Sequence, residues 1–214
     1  MNKTDTQRTI FEQLVYGPLA ANLTEVLYPN RRSQDSFFCE YAYKVKEPLP
    51  DKGDTKIEHD SILLMLHYGV KKNKENILNK DVISIEIKST ERDIHKSSVV
   101  KYLGATRLFF IAAPANLLRT IIDKYYVASR QFSHIIGLID SDAGRIVVLP
   151  QFQNFDRDRR DRLLSHCYTS VHRIPQYNDT EPFAMHRVSC LPGEKVNWID
   201  VDGVKVNMDY IKYF

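Results

Sequence analysis

The sequence has little of what specialised protein classes require. Its 214 residues hold three cysteines, Cys39, Cys167 and Cys190, with no CxxC pair and no Cys/His cluster at zinc spacing. Neither a disulfide framework nor a structural zinc is expected from so few, so placed. No apolar run approaches the ~20 residues that span a bilayer. The opening MNKTDTQRTIFEQ is too polar for a signal peptide. The expected setting is therefore cytoplasmic, without a membrane partner. A strong charge bias is also missing. Thirty Lys and Arg against 27 Asp and Glu leave a net charge of +3, which permits nucleic-acid binding without arguing for it. There is no internal repeat and no low-complexity tract. What is present, 43% hydrophobic and 27% charged residues, suits a globular domain with a substantial core.

Periodicity supplies the elements. Apolar residues at helical spacing predict an N-terminal helix, interrupted at Gly17-Pro18. SFFCEYAYKV reads as a first strand and EPLPDKGDTK as a hairpin-like connection. DSILLMLHYG, apolar on both faces, predicts a central strand, and the polar KKNKENILNK a solvated loop. DVISIEIKST is a third strand. DIHKSSVVKYLG predicts a short helix stopped by Gly104, RLFFIAAP a buried strand, and residues 115–130 another helix. HIIGLIDSDAGRIVVLP gives two strands around a turn, and DRDRRDRLLSHCYTSVHR an amphipathic helix. Beyond Arg173 the pattern weakens, except for WIDVDGVKV, whose Asp202-Gly203 suits a type I′ hairpin. The expected fold is α/β: a central mixed sheet of four or five strands flanked by helices. It occupies residues 1–172, and 173–214 form a C-terminal extension with a β-hairpin.

The third strand carries the chemical question. Ile83, Ile85 and Ile87 share one face, and Ser84, Glu86 and Lys88 the other. A carboxylate beside an ammonium is either a braced surface worth ~0–1 kcal/mol or the centre of a site. Asp60 at the head of the central strand, and Glu40 in the strand before it, could converge with this pair at one end of the sheet. Glu47 and Glu58 are alternatives to Glu40. Three carboxylates suit a hard cation such as Mg²⁺, and a nearby lysine can orient water or stabilise charge on a phosphorane. Asp93 serves equally well as a helix cap.

The series Asp60, then Glu86-Ile87-Lys88, resembles the PD-(D/E)xK nuclease superfamily of restriction and repair endonucleases. IEIKSTERDIHKSSVVKYLGATRLFFIAAP is similar to the MmcB-type DNA-repair proteins, and the likeness extends from Phe37 to Val171. His59 stands where the superfamily name has proline, and Ile94 where that family has phenylalanine. The resemblance implies a restriction-endonuclease-like sandwich and Mg²⁺-dependent hydrolysis of DNA, with Mn²⁺ as substitute. Asp60 and Glu86 would be the metal ligands. Glu40 and Lys88 would complete the catalytic set, and Asp93 would match a further acidic position. DNA is the implied partner, with a homodimer left open. Two other readings stand beside it: a non-catalytic DNA- or partner-binding module on the same fold, and a type II-like restriction enzyme. Two features read as bland. DRDRRDR alternates sign like a solvated helix face, and His166, His172 and His186 lack metal-site spacing.

Overall fold

The computed structural model describes residues 3–15, 18–48, 56–71, 74–96, 99–169, 184–188 and 196–214. Helices α1 (Lys3–Val15) and α2 (Leu19–Leu27) come first. The strands β1 (Ser36–Pro48), β2 (Lys56–Lys71) and β3 (Lys74–Ile87) follow. Next are α3 (Glu91–Lys96), β4 (Leu108–Ala113), α4 (Leu118–Ile122), β5 (Ile136–Asp140), β6 (Arg145–Leu149) and α5 (Arg157–Thr169). Three further strands, β7 (Ala184–Val188), β8 (Trp198–Val201) and β9 (Val204–Asn207), precede a final 3₁₀ segment at Met208–Tyr213.

Among the described residues the strands form one sheet of nine, ordered β7-β1-β2-β3-β4-β5-β6-β9-β8. That is wider than the expected four or five, because the C-terminal segment adds strands at both edges. β7 pairs with β1, and β9 pairs with β6. The sheet is mixed. β1, β2 and β3 run antiparallel, whereas β3, β4 and β5 run parallel through helical crossovers. The Asp60 strand lies beside the Glu86 strand, with LFFIAA beyond it, as the sequence predicts.

Helices cover both faces. On one, Ile10 of α1 and Leu19 and Leu23 of α2 pack on Ile83, Ile85, Ile87, Phe110 and Ala112. On the other, Ile121 and Ile122 of α4 pack on Phe109 and Ile111, and Leu163, Leu164 and Cys167 of α5 pack on Ile62, Leu64 and Val82. The isoleucines of β3 therefore share one face, as strand alternation requires. Cys39 and Cys167 are buried free thiols, and burial pushes each thiol up to about 12. Cys190 lies outside the described residues, as do Gly17 and positions 49–55 of the expected connection.

Three expectations need correction. The charged KKNKENILNK is not a loop from Lys74 onward. It extends β3, with pairs from Val70–Glu75 out to Lys71–Lys74. Ladder hydrogen bonds satisfy the backbone there whatever the side chains are, so composition misleads. The helix before Gly104 is broken into α3 and a 3₁₀ turn at Val100–Tyr102. Gly104 itself sits at φ +80, where a left-handed stop is required. The helix in 115–130 starts as a 3₁₀ turn at Ala115–Leu117 and widens after α4 into a π turn at Asp123–Ala128. The β8–β9 hairpin has Asp202 at φ +51 and Gly203 at φ +82, the pair of positive angles a type I′ turn needs.

Candidate functional site around Glu86 and Lys88

A break in strand alternation builds this site. Ala42 and Val45 of β1 pack in the same cluster under α5, although three positions apart they should face opposite ways. The pairing of β1 with β2 passes from Tyr43–Ser61 to Val45–His59, and Lys44, between them, has φ +51. β2 flips at the same level. His59 reaches Ser84, and Ile62 pairs with Ser84, so both lie on one side of the sheet. Asp60 occupies the flip. Irregularities of this kind re-aim side chains next to functional sites.

The consequence is specific. The β2–β3 ladder begins at Ser61–Ile85. One step before it, the Asp60 carboxylate takes the place of a backbone carbonyl: Oδ2 accepts from the Ile87 amide at 2.8 Å. Ile87 is the middle residue of Glu86-Ile87-Lys88, so Asp60 is fastened to the tripeptide itself. On the other side of β3, the Lys88 amide donates to the Ala112 carbonyl at 2.9 Å, continuing the parallel ladder into β4. Both strand neighbours hold the tripeptide in place.

Lys88 Nζ donates to Glu86 Oε1 at 2.7 Å, and Asp60, Glu86 and Lys88 are 2%, 4% and 2% exposed. These exposures exclude the solvated surface pair. Tyr102, on the 3₁₀ turn before Gly104, stacks its ring on Phe109 and meets the edge of His59. Burial, then the nearby charges of Glu86, Asp60 and Glu58, raise the Tyr102 phenol far above its usual range, so it stays protonated. With all three ionised, Asp60, Glu86 and Lys88 carry a formal charge of −1 in a buried place.

A second buried network adjoins the first. Glu47 is fully buried, and Arg159 of α5 grips it with Nε on Oε1 and Nη2 on Oε2, the latter at 2.9 Å. Arg159 also donates to the carbonyls of Lys101 and Leu103 at 2.8 and 3.0 Å. His59 Nε2 donates to Glu47 Oε2 at 2.9 Å, and its Nδ1 shares a hydrogen bond with the Ser84 hydroxyl at 2.9 Å. Burial pushes the Glu47 carboxyl upward, but the hydrogen bonds from His59 and Arg159 outweigh it and hold the group below the ordinary glutamate range. Within DRDRRDR, then, Arg159 turns inward while Asp158 and Asp161 stay exposed.

Of the residues predicted for the site, Asp60, Glu86 and Lys88 come together and Glu40 stands apart. Glu40 is buried opposite Leu64, four residues along β2 from Asp60, or about 13 Å at strand rise. Asp93 sits in the first turn of α3, where its amide donates to Thr90 Oγ1 and its carboxylate accepts from Ser89 Oγ, both at 3.2 Å. That is a capping arrangement. Tyr102 escaped the sequence reading because a lone tyrosine before a turn carries no motif. Among the described residues no group of three His, Cys, Asp or Glu is placed to hold a metal. Two cavities, of about 320 and 410 Å³, flank the hairpin tip at Gly203 rather than this site. No described helix is long and apolar enough to cross a membrane.

The sequence matches no family model and no curated protein. Among solved structures it is similar to a protein of unknown function from Silicibacter pomeroyi. The two are 19% identical over 69% of this chain and 80% of that one, with a TM-score of 0.34. A likeness that loose bears on neither fold nor activity.

Proposed function

We propose that this chain is a metal-dependent DNA nuclease of the PD-(D/E)xK type, built on a restriction-endonuclease-like core and serving DNA repair. One observation carries the reading: the Asp60 carboxylate is hydrogen-bonded to the amide inside Glu86-Ile87-Lys88. An acid from one strand and E-x-K from its neighbour are the parts the resemblance requires, and they meet at one point. Helices on both faces of a mixed sheet, with antiparallel and parallel pairs meeting at β3, support the fold assignment.

Two carboxylates are enough for magnesium, which keeps several waters and takes the rest of its shell from substrate phosphate. A carboxylate offers about four lone-pair sites, so an oxygen that accepts one N–H can still face a cation. Asp60 and Glu86 would be those ligands. Held there, the ion would polarise the phosphodiester and lower the pKa of its water. Lys88 supplies a compact charge on a flexible stem with three rotatable donors. It orients the attacking water and stabilises charge on the phosphorus. Glu40 lies too far along β2 to reach that ion, and Asp93 belongs to the start of α3, its amide capped by Thr90 and its carboxylate held by Ser89.

The binding-module reading draws on a different observation. Glu86 and Lys88 neutralise each other and are buried, as a pair retained for the fold would be. One experiment separates the two. Purified protein is assayed on duplex, single-stranded, nicked and branched DNA with Mg²⁺ or Mn²⁺, beside Asp60→Asn. Metal-dependent cleavage lost in the variant supports the nuclease. DNA binding without metal dependence or cleavage would establish the module instead.

A further inference from the structure

Asp60 lies where regular strand pairing breaks on both sides. The β2–β3 ladder begins at Ser61–Ile85, and the pairing with β1 steps from Tyr43–Ser61 to Val45–His59 across Lys44 at φ +51. A regular ladder aims each side chain through the pleat. At a break the aim depends on how the neighbouring residues are held. Ser61 is held from one side, its hydroxyl 2.8 Å from that of Tyr41. His59, on the other side, is held at more points.

Each nitrogen of the His59 ring meets a different strand. Nδ1 and the Ser84 hydroxyl of β3 lie 2.9 Å apart, and Nε2 donates to Glu47 Oε2 of β1 at 2.9 Å. The ring meets that of Tyr102 with centroids 5.3 Å apart and planes at 61°. Glu47 is gripped in turn by Arg159 of α5, which also donates to the carbonyls of Lys101 and Leu103. The imidazole is thus referenced to both neighbouring strands and, through Glu47, to α5. A serine, a histidine and a glutamate in a row can form a nucleophile set. Here the Ser84 residue is 1% exposed and His59 and Glu47 are 0%, so no substrate reaches the hydroxyl. The three groups hold position instead of reacting.

We propose that His59 is a positioning residue for Asp60: its ring, tied to Ser84, holds the broken end of β2 against β3 so that the Asp60 carboxylate meets the Ile87 amide. Consecutive residues of β2 then touch β3 at two places, His59 at Ser84 and Asp60 at Ile87. Those places are three residues apart, or about 10 Å at strand rise. Two contacts that far apart fix the tilt of β2 as well as its distance. The inference rests on the nuclease reading for what Asp60 is positioned to do, which is to share a cation with Glu86. His59 touches neither substrate nor reacting atoms, and it acts through Asp60.

The test follows amide hydrogen exchange by NMR at two neighbours. The Ile87 N–H goes to Asp60, and the Lys88 N–H goes to Ala112 on the other side of β3. His59→Asn reaches as far as Nδ1 and can keep the bond to Ser84. His59→Gln reaches as far as Nε2 and keeps only Glu47. Ser84→Ala cuts the same tie from β3 by removing one oxygen. Ile87 should exchange roughly 5–10-fold faster in His59→Gln and Ser84→Ala, the weight of about one hydrogen bond. In His59→Asn it should stay close to the natural rate, and Lys88 should be unchanged in all three. Isothermal titration should show Mn²⁺ affinity weakened by roughly 10–100-fold in the two loosened variants. Unchanged exchange at Ile87 in both, or exchange that rises equally at Ile87 and Lys88, overturns the inference and leaves the nuclease reading standing. If the natural protein binds neither Mn²⁺ nor Mg²⁺, the nuclease reading falls, and exchange at Ile87 still decides whether His59 positions Asp60.

Discussion

Two carboxylates, Glu47 and Glu86, lie in the same sheet, and each is buried against a cation, yet they are held in opposite ways. Glu47 meets a planar guanidinium through both oxygens and a histidine besides, and the guanidinium's other donors go to two backbone carbonyls. Arginine's rigid fork suits that kind of closure. Glu86 takes the Lys88 ammonium on Oε1, beside a second carboxylate fastened to the next amide. The first arrangement saturates its charges and joins α5 to β1. The second sets two carboxylates beside a movable donor. A buried ion pair alone therefore says little about function, and the form of its saturation says more.

Breaking the saturated pair should have the largest effect. Arg159→Ala leaves the Glu47 carboxylate buried without its guanidinium and should cost about 3–5 kcal/mol of stability, measured by urea unfolding. A cost no larger than that of an exposed pair would remove the contrast. Lys88→Met should lower Mg²⁺-dependent cleavage by on the order of 10²–10³-fold. It should also destabilise the metal-free fold, because Glu86 loses its counter-charge. Added Mn²⁺ should restore the melting temperature of Lys88→Met and do nothing for Arg159→Ala. Equal rescue of both, or of neither, would erase the functional difference between the pairs.

The pH response sharpens the same comparison. The Glu47 pKa in the fold lies below its unfolded value, so the folded protein binds fewer protons. Its contribution is full above the ordinary glutamate range of about 4.3 and is lost as pH falls through the lower, folded value. Unfolding measured across acid pH should show this slope in the natural protein and a shallower one in Glu47→Gln. Gly203→Ala forces a non-glycine residue to φ +82 in the hairpin turn and should cost about 1–2 kcal/mol. Smallest is Arg145→Ala. Its partner Asp209 is 3.0 Å away, but the two side chains are 42% and 64% exposed. Such pairs contribute about 0–1 kcal/mol.

Much of this was legible in the chain. The alternation in DVISIEIK gives the isoleucine face and the Glu86–Lys88 face, and both are found. LFFIAA announces a strand buried on both sides, and Asp202-Gly203 its turn. Glu40 shows where such reading stops. Its strand and face are readable, but its level along β2 depends on register, and register is fixed by pairing between distant segments. Arg159 shows the same limit. Its neighbours alternate in charge, and only the helix's seat above β1 decides which arginine turns inward.

The sequence by itself determined an α/β chain with an acid and an E-x-K on successive strands of the chain, because periods of 2 and 3.6 are properties of the local backbone. Tertiary structure alone decided that β2 flips at Asp60 opposite the positive φ of Lys44, that its carboxylate lands on the Ile87 amide, and that Arg159 holds the turn around Tyr102. Those facts arise where three strands and a turn from separate parts of the chain compete for the same hydrogen bonds. No window of sequence contains that competition.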